Sequence, residues 1–177
     1  MPTTIESISG GSSCSIRSRP GCRCSTPLKR LTQSPKHHPV DPALAARLVG
    51  VGKAGLLRGE GDRVAPATGT RLGALFESPV AQSLRVYASS ARARVGHLRT
   101  KETDREIDLI VEGEDRQVVA IEIKLSQTVG DLDVRHLNWL HDQLGDRLVD
   151  RVVITTGEHA FRRPDGVAVV PLALLGP

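Results

Sequence analysis

Aromatic side chains are scarce in this 177-residue chain, which has two phenylalanines, one tyrosine and one tryptophan. Modules that bind single-stranded nucleic acid commonly stack the bases on several aromatic rings. The composition therefore argues against a stacking module of that kind. It also leaves leucine, valine, isoleucine and alanine to form the hydrophobic core.

Long hydrophobic runs are absent as well, because no apolar stretch approaches the roughly 20 residues that cross a bilayer. A membrane-spanning chain is excluded on this ground. The overall composition, 39% apolar and 25% charged, is typical of a globular protein. The length allows one domain of ordinary size and a tail, and excludes a large multidomain enzyme.

The net positive charge of the chain lies in residues 1–40, because this segment holds six of the 24 basic residues but only one of the 20 acidic residues. Serine, threonine, proline and glycine dominate this segment, and its few apolar residues follow neither a strand nor a helix period. We therefore predict a disordered basic tail. Such a tail can bind nucleic acid without sequence preference, whereas the nearly neutral remainder needs a local site to do so.

All three cysteines also lie in the tail, at Cys14, Cys22 and Cys24, with His37 and His38 further along. Structural zinc sites usually show two closely spaced pairs of ligands, and this spacing differs from that pattern. Free thiols are the favoured interpretation over a zinc site. Thiols that stay reduced indicate a cytoplasmic protein.

The remainder, residues 41–177, is predicted to be one domain with a helical lead-in over 41–65 and a core over 70–177. Asp41 and Pro42 form a typical helix start, as cap and first helical residue. A second, amphipathic helix is predicted over 72–89. Pro79 within it lacks a backbone donor, so we expect a kink or a break at Ser78.

Further along, strands are predicted over 93–100, 105–112 and 117–125, a helix over 131–144, and strands over 149–156 and 167–170. The resulting order, α-β-β-β-α-β, predicts an α/β fold with a mixed sheet flanked by helices.

Charged residues on the second and third predicted strands suggest a site. In an alternating strand, Asp108 faces away from Ile107, Leu109 and Val111, while Glu122 and Lys124 share one face. If the two strands form a hairpin with Asp108 opposite Glu122, Gly113 pairs with Gln117 and a three-residue loop remains between them. The two carboxylates then lie beside a lysine, and magnesium prefers oxygen ligands of this kind.

Three strings of residues resemble a known family: GALFE at 73–77, REIDL at 105–109 and IEIKLS at 121–126. The pattern Asp108, Glu122 and Lys124 resembles the D…ExK motif of the PD-(D/E)XK nuclease-like superfamily. The longer strings resemble the C-terminal domain of bacterial and archaeal AAA-type ATPases known as domain of unknown function 4143. The resemblance extends from about residue 41 to the C-terminus.

This resemblance implies a restriction-endonuclease-like core and a metal-dependent phosphodiesterase acting on DNA. Asp108 and Glu122 would bind Mg²⁺ or Mn²⁺, Lys124 would orient or polarise the attacking water, and Glu77 would support the site from its helix. It also implies an AAA-type ATPase portion, encoded separately, as a partner.

Other interpretations remain open. Asp108, Glu122 and Lys124 are also what a solvated strand face with surface ion pairs would show. The domain could keep the fold as a noncatalytic module that regulates or binds an ATPase, or could be inert beside a tail that binds nucleic acid. Trp139 is interpreted as a core or interface anchor.

Overall fold

The computed structural model describes residues 3–7, 13–16, 38–48, 50, 52–53, 71–100 and 105–176. Within these ranges the helices are α1 (Pro42–Leu48), α2 (Arg71–Ser90) and α3 (Asp131–Leu144). The strands, in chain order, are β1 (Thr3–Ser7), β2 (Ser13–Ile16), β3 (Arg94–Arg99), β4 (Glu106–Glu112), β5 (Val118–Ile123), β6 (Leu148–Thr155), β7 (Phe161–Arg162) and β8 (Ala168–Pro171). Short 3₁₀ turns follow α3 and β8.

The strands form one mixed sheet in the order β2-β1-β3-β4-β5-β6-β8-β7. Pairing is antiparallel from β2 to β5, parallel from β5 through β6 to β8, and antiparallel again between β8 and β7. The β5-α3-β6 unit is the crossover that parallel neighbours require. The predicted α/β class, with a mixed sheet flanked by helices, is confirmed.

Two hydrophobic clusters cover the two faces of the sheet. Val134, Leu137 and Leu140 of α3 pack on Val118 and Ala120. On the other face, residues of α2 pack on the sheet through the cluster Val80, Ala81, Leu84, Leu109, Ile121, Ile123 and Ile154. Burial of these side chains from water is the main force that holds each helix to its face.

Helix α1 lies in the segment predicted as a helical lead-in. Asp41 accepts a hydrogen bond of 2.9 Å from the backbone N–H of Leu44, so it caps α1 as predicted. Residues 54–65 of the lead-in lie outside the described residues. The division of the chain at residue 40 stays a prediction.

Strands β1 and β2, nine residues in all, lie in the segment predicted to be a disordered tail. β1 pairs with β3, with Thr4 opposite Arg99 and Ser7 opposite Gly96. An edge strand offers unpaired backbone groups to any extended segment, so this pairing needs no hydrophobic period in the added strand. A zinc site was the less favoured interpretation of the tail, and three of its candidate ligands lie outside the described residues: Cys22, Cys24 and His37.

Helix α2 continues through Pro79, so the predicted break at Ser78 is wrong. The Ser78 hydroxyl does not cap a new helix but donates to the carbonyl of Ala74, at 3.2 Å. Val80, Ala81 and Leu84 beyond the proline are all buried against the sheet. Tertiary packing of this stripe therefore holds the helix together across a residue that disfavours it.

The β4–β5 hairpin has the predicted register. Leu109 pairs with Ile121 and Glu112 with Val118, which is the alignment that sets Asp108 opposite Glu122. The backbone N–H of Gly113 donates a 2.9 Å hydrogen bond to the carbonyl of Gln117, so Glu114, Asp115 and Arg116 form the three-residue loop.

A β-bulge interrupts the pairing of β4 with β3. Gly96 pairs with Ile110 but Leu98 pairs with Ile107, so the single residue His97 lies opposite both Asp108 and Leu109. Ile107 consequently packs in the α3 cluster while Leu109 packs in the α2 cluster. The expectation that Ile107, Leu109 and Val111 share one face is corrected for Ile107, since a bulge breaks strict alternation.

Candidate functional site

The predicted site residues of the hairpin meet at one edge of the sheet. Asp108 lies near the start of β4, Glu122 near the end of β5, and Lys124 directly after β5. Because β4 and β5 are antiparallel, the start of one strand and the end of the other are neighbours. The backbone N–H of Lys124 also donates to the carbonyl of Ile154 in β6, which fixes the lysine's main chain.

Glu122 and Lys124 form a close ion pair. The Nζ atom of Lys124 lies 2.9 Å from Oε1 of Glu122, and the exposed fractions of the two side chains are 32% and 10%. A nearly buried carboxylate is costly unless a cation and hydrogen bonds compensate it. Lys124 supplies that compensation while its ammonium still reaches solvent.

Asp108 is anchored to the neighbouring strand by its side chain. Its Oδ2 atom accepts a 2.8 Å hydrogen bond from the backbone N–H of Ile123, the residue between Glu122 and Lys124. The bulge opposite His97 lies at this position, and bulges often redirect a side chain in this way. The contact holds the Asp108 carboxylate beside the ion pair.

The carboxylates around Lys124 shape its electrostatics. Burial by itself lowers the pKa of Lys124, but the adjacent Glu122 carboxylate and the charges of Asp108 and Asp133 outweigh it and raise the pKa above its ordinary value. Lys124 therefore stays charged at neutral pH.

Asp133 is a neighbour that the sequence analysis missed. It lies in the first turn of α3, where its Oδ2 accepts a 2.9 Å bond from the N–H of Gly130. The excess of acids at this helix start is visible in the sequence, but only the packing of α3 beside β5 brings one of them to Lys124.

Glu77 lies on α2, half-buried, one turn before Ala81 on the stripe that packs on the sheet. Ile121 and Ile123 pack beneath α2. Because side chains alternate along a strand, those of Glu122 and Lys124 are directed to the other face of the sheet, which α3 covers. Glu77 thus belongs to the opposite face of the sheet, and its assignment to the site stays a prediction.

The segment that links β5 to α3 is fixed by the C-terminal hairpin. Arg163, whose side chain is 14% exposed, donates to the carbonyl of Val129 at 2.8 Å and pairs with Asp131 at 2.6 Å and with Asp165 at 3.3 Å. The backbone N–H of Thr156 donates to the carbonyl of Ser126. These bonds position the start of α3, and with it Asp133.

The carboxylates of Asp108 and Glu122 meet only part of what a magnesium site requires. Magnesium is often held by one or two carboxylates together with water and phosphate, and Asp108 and Glu122 supply two. Each of them already has a protein partner through one oxygen. In the part of the chain that the structure describes, no three side chains of His, Cys, Asp or Glu are grouped so that they could hold a metal ion.

Fold and site together define an α/β domain with a mixed sheet and an acid–lysine cluster where an antiparallel hairpin meets a parallel crossover. The chain belongs to the family described as Domain of unknown function (DUF4143), whose profile matches residues 72–175. No curated protein matches the chain. Among the described helices, none is long and apolar enough to cross a membrane.

Proposed function

We propose that this domain is a metal-dependent phosphodiesterase acting on DNA, with a restriction-endonuclease-like core. One observation supports the proposal most strongly: the hairpin register sets Asp108 beside the Glu122–Lys124 pair, which is the arrangement of acids and lysine that the D…ExK motif requires. The element order from α2 to β6, α-β-β-β-α-β, agrees with such a core. A cytoplasmic location belongs to the same proposal.

In this proposal Asp108 and Glu122 hold Mg²⁺ or Mn²⁺, which when bound neutralises charge on phosphate and lowers the pKa of its water. Lys124 is charged at neutral pH, reaches solvent, and orients the attacking water or stabilises charge that develops on the phosphate. Glu77, on α2 at the opposite face of the sheet, stays a predicted supporting residue. Loss of the contact between Lys124 and Glu122 on metal binding would release the ammonium toward the substrate.

Nicking of supercoiled plasmid with Mg²⁺ or Mn²⁺ tests the proposal. We expect cleavage by the purified chain, none in EDTA, and none with Asp108→Asn, which keeps an oxygen for the Ile123 N–H but loses the charge. Asp150→Asn is the matched control and should leave cleavage unchanged, because Asp150, at the start of β6, pairs with Arg162 of β7, away from the site. Cleavage that persists in Asp108→Asn would contradict the assignment.

A second function is favoured by the contacts that Asp108, Glu122 and Lys124 make within the protein. Asp108 is hydrogen-bonded to β5 and Glu122 to Lys124, as in a cluster that stabilises a sheet edge. On this alternative the domain is a noncatalytic module that binds or regulates a separately encoded AAA-type ATPase. Absence of cleavage, absence of heat on titration with Mg²⁺ or Mn²⁺, and loss of stability in Asp108→Asn would together favour it.

A further inference from the structure

Two arginines at the site edge have positions fixed by neighbouring groups. Arg105 lies directly before β4, where its main chain exchanges hydrogen bonds with Thr100. Its guanidinium carbon lies 4.5 Å from the centre of the Trp139 ring, at cation–π distance. The half-buried tryptophan, predicted as an anchor, thus serves as a platform for a cation.

Arg135 lies on α3 and is exposed to solvent. Its Nε donates to Nε2 of His136 at 3.0 Å, and Nδ1 of His136 contacts the carbonyl of Glu106 at 2.9 Å. Since the arginine can only donate, Nε2 accepts, so Nδ1 carries the proton and donates to Glu106. This chain of bonds ties Arg135 to the start of β4, next to Arg105.

Neither guanidinium is neutralised by an acid within the described residues. The contrast with other arginines is informative, because Arg147, Arg162 and Arg163 all pair with carboxylates. Asp131, one helical turn before Arg135 and well placed to pair with it, pairs with Arg163 instead.

Both arginines are tied to the start of β4, the strand that carries Asp108. The β4–β5 register, continued past Leu109 and Ile121, sets Lys124 level with Glu106 and so one residue from Arg105. Glu122 is in contact with Lys124 there, and the charges of Asp108 and Asp133 also act on this lysine. A polyanion is repelled by such a cluster unless cations beside it attract the adjoining phosphates.

We propose that Arg105 and Arg135 form a phosphate-binding rim, which holds the sugar–phosphate backbone of duplex DNA beside the Asp108–Glu122 pair. The inference rests on the proposed function, since it supplies the substrate contacts of that site. Trp139 holds the Arg105 guanidinium in place, and a planar guanidinium presents several N–H donors to phosphate oxygens.

Salt dependence of DNA binding tests the rim without metal or catalysis. The full-length chain is titrated into a fluorescently labelled duplex in EDTA over a series of salt concentrations, for the wild type, Arg105→Gln, Arg135→Gln and the double variant. Each phosphate contact contributes about 0.9 to the slope of log K against log salt, so the double variant should lose about 1.8. The matched control is Arg94→Gln, an exposed arginine at the other end of β3, which should keep the wild-type slope.

Trp139 provides a second readout, because it is the single tryptophan of the chain. Saturable change of its emission is expected when duplex DNA binds, and the change should be lost in Arg105→Gln and kept in Arg94→Gln. Free tryptophan titrated with the same DNA corrects for absorption. Arg135→Gln, at an exposed position, keeps the test informative if Arg105→Gln does not fold.

The rim would be overturned if the double variant had the same salt slope as the wild type. It would also be overturned if Arg94→Gln lost as much slope as the double variant. The first result would leave the arginines as candidates for an acidic protein partner. The expected slopes without any cleavage in Mg²⁺ would support the rim and remove the nuclease proposal, whereas cleavage with unchanged slopes would do the reverse.

Discussion

Arg116 occupies a backbone conformation that glycine occupies at the equivalent position of another hairpin. The loops between β4 and β5 and between β7 and β8 each have three residues, with an Asp at the second position whose Oδ1 accepts from the backbone two residues on. The third loop residue has a φ of 64° at Arg116 and 83° at Gly166. This left-handed position closes such hairpins and favours glycine.

We predict that Arg116→Gly stabilises the protein by about 0.5 kcal/mol, because relief of the left-handed strain exceeds the added entropy of the unfolded chain. Conversely, Gly166→Ala should destabilise it by about 1 to 2 kcal/mol, since φ is positive and the new methyl group would lie 3.1 Å from Nη2 of Arg151. Urea unfolding of both variants measures these changes. A loss of stability in Arg116→Gly would show that the arginine side chain has a stabilising contact.

Asp165 contributes stability that depends on pH. Burial raises its pKa, but hydrogen bonds from Arg163, the Val167 N–H and Asn138 outweigh burial, so the pKa is lowered below its ordinary value. A lowered folded-state pKa stabilises the protein at pH values above the unfolded pKa of about 3.9, and this stabilisation disappears as pH falls through the folded value.

Asp165→Asn is therefore expected to cost about 1 to 2 kcal/mol at pH 7, as for hydrogen bonds to a charged group. The difference from the wild type should shrink below about pH 4. Unfolding by urea at a series of pH values measures this difference in stability. A difference that stays constant down to about pH 2 would contradict the assignment of the stabilisation to the ionised Asp165 carboxylate.

Lys124 has a larger structural role than a solvated strand residue. On sequence grounds its replacement should change activity far more than stability. The structure pairs it with a carboxylate that is only 10% exposed, so Lys124→Met should cost about 1 to 3 kcal/mol. Adding Glu122→Gln should recover part of this loss, because the carboxylate is then neutral.

A double-mutant cycle of these two changes gives the coupling free energy. Lys53→Met, at an exposed lysine, is the control and should be neutral. Additive effects of the two changes would mean that the ion pair is not formed in solution.

At the scale of elements, Pro79 is the clearest conflict between local preference and fold. The proline cannot donate to the carbonyl of Leu75, yet α2 runs on from Arg71 to Ser90. Pro79→Ala should restore this bond and stabilise the protein by about 1 to 3 kcal/mol. Urea unfolding measures the change, and unchanged or lower stability would show that packing of the proline ring compensates for the missing bond.

The register of the β4–β5 hairpin was predictable only on the condition that Asp108 lies opposite Glu122. Alternation indicated which side chains share a face, but the turn-forming residues after Glu112 also allow a two-residue loop, and the strand pairing has the three-residue loop. The bulge at Asp108 was not predictable, since it arises from pairing with β3, which lies in a different part of the sequence. Its result, the bond from Ile123 to Asp108, is a property of three strands together.

In the whole molecule, β1 and β2 extend the sheet beyond β3, so that β3 is not an edge strand. We expect deletion of residues 1–37 to lower stability and to cause self-association, because β3 would become an edge with unpaired backbone groups. Urea unfolding and light scattering measure the two effects. Unchanged stability and a monodisperse product would instead support the prediction that this segment is a disordered tail.

The sequence by itself determined most elements of the domain and the α/β class with a mixed sheet, because hydrophobic period, caps and turn residues act over a few neighbours. Tertiary structure decided what depends on distant partners. Packing carried α2 through Pro79, the β3 pairing set the bulge, and the crossover brought Asp133 to Lys124 and Arg135 toward Arg105. These contacts join segments far apart in the chain, and no local pattern encodes which of them will meet.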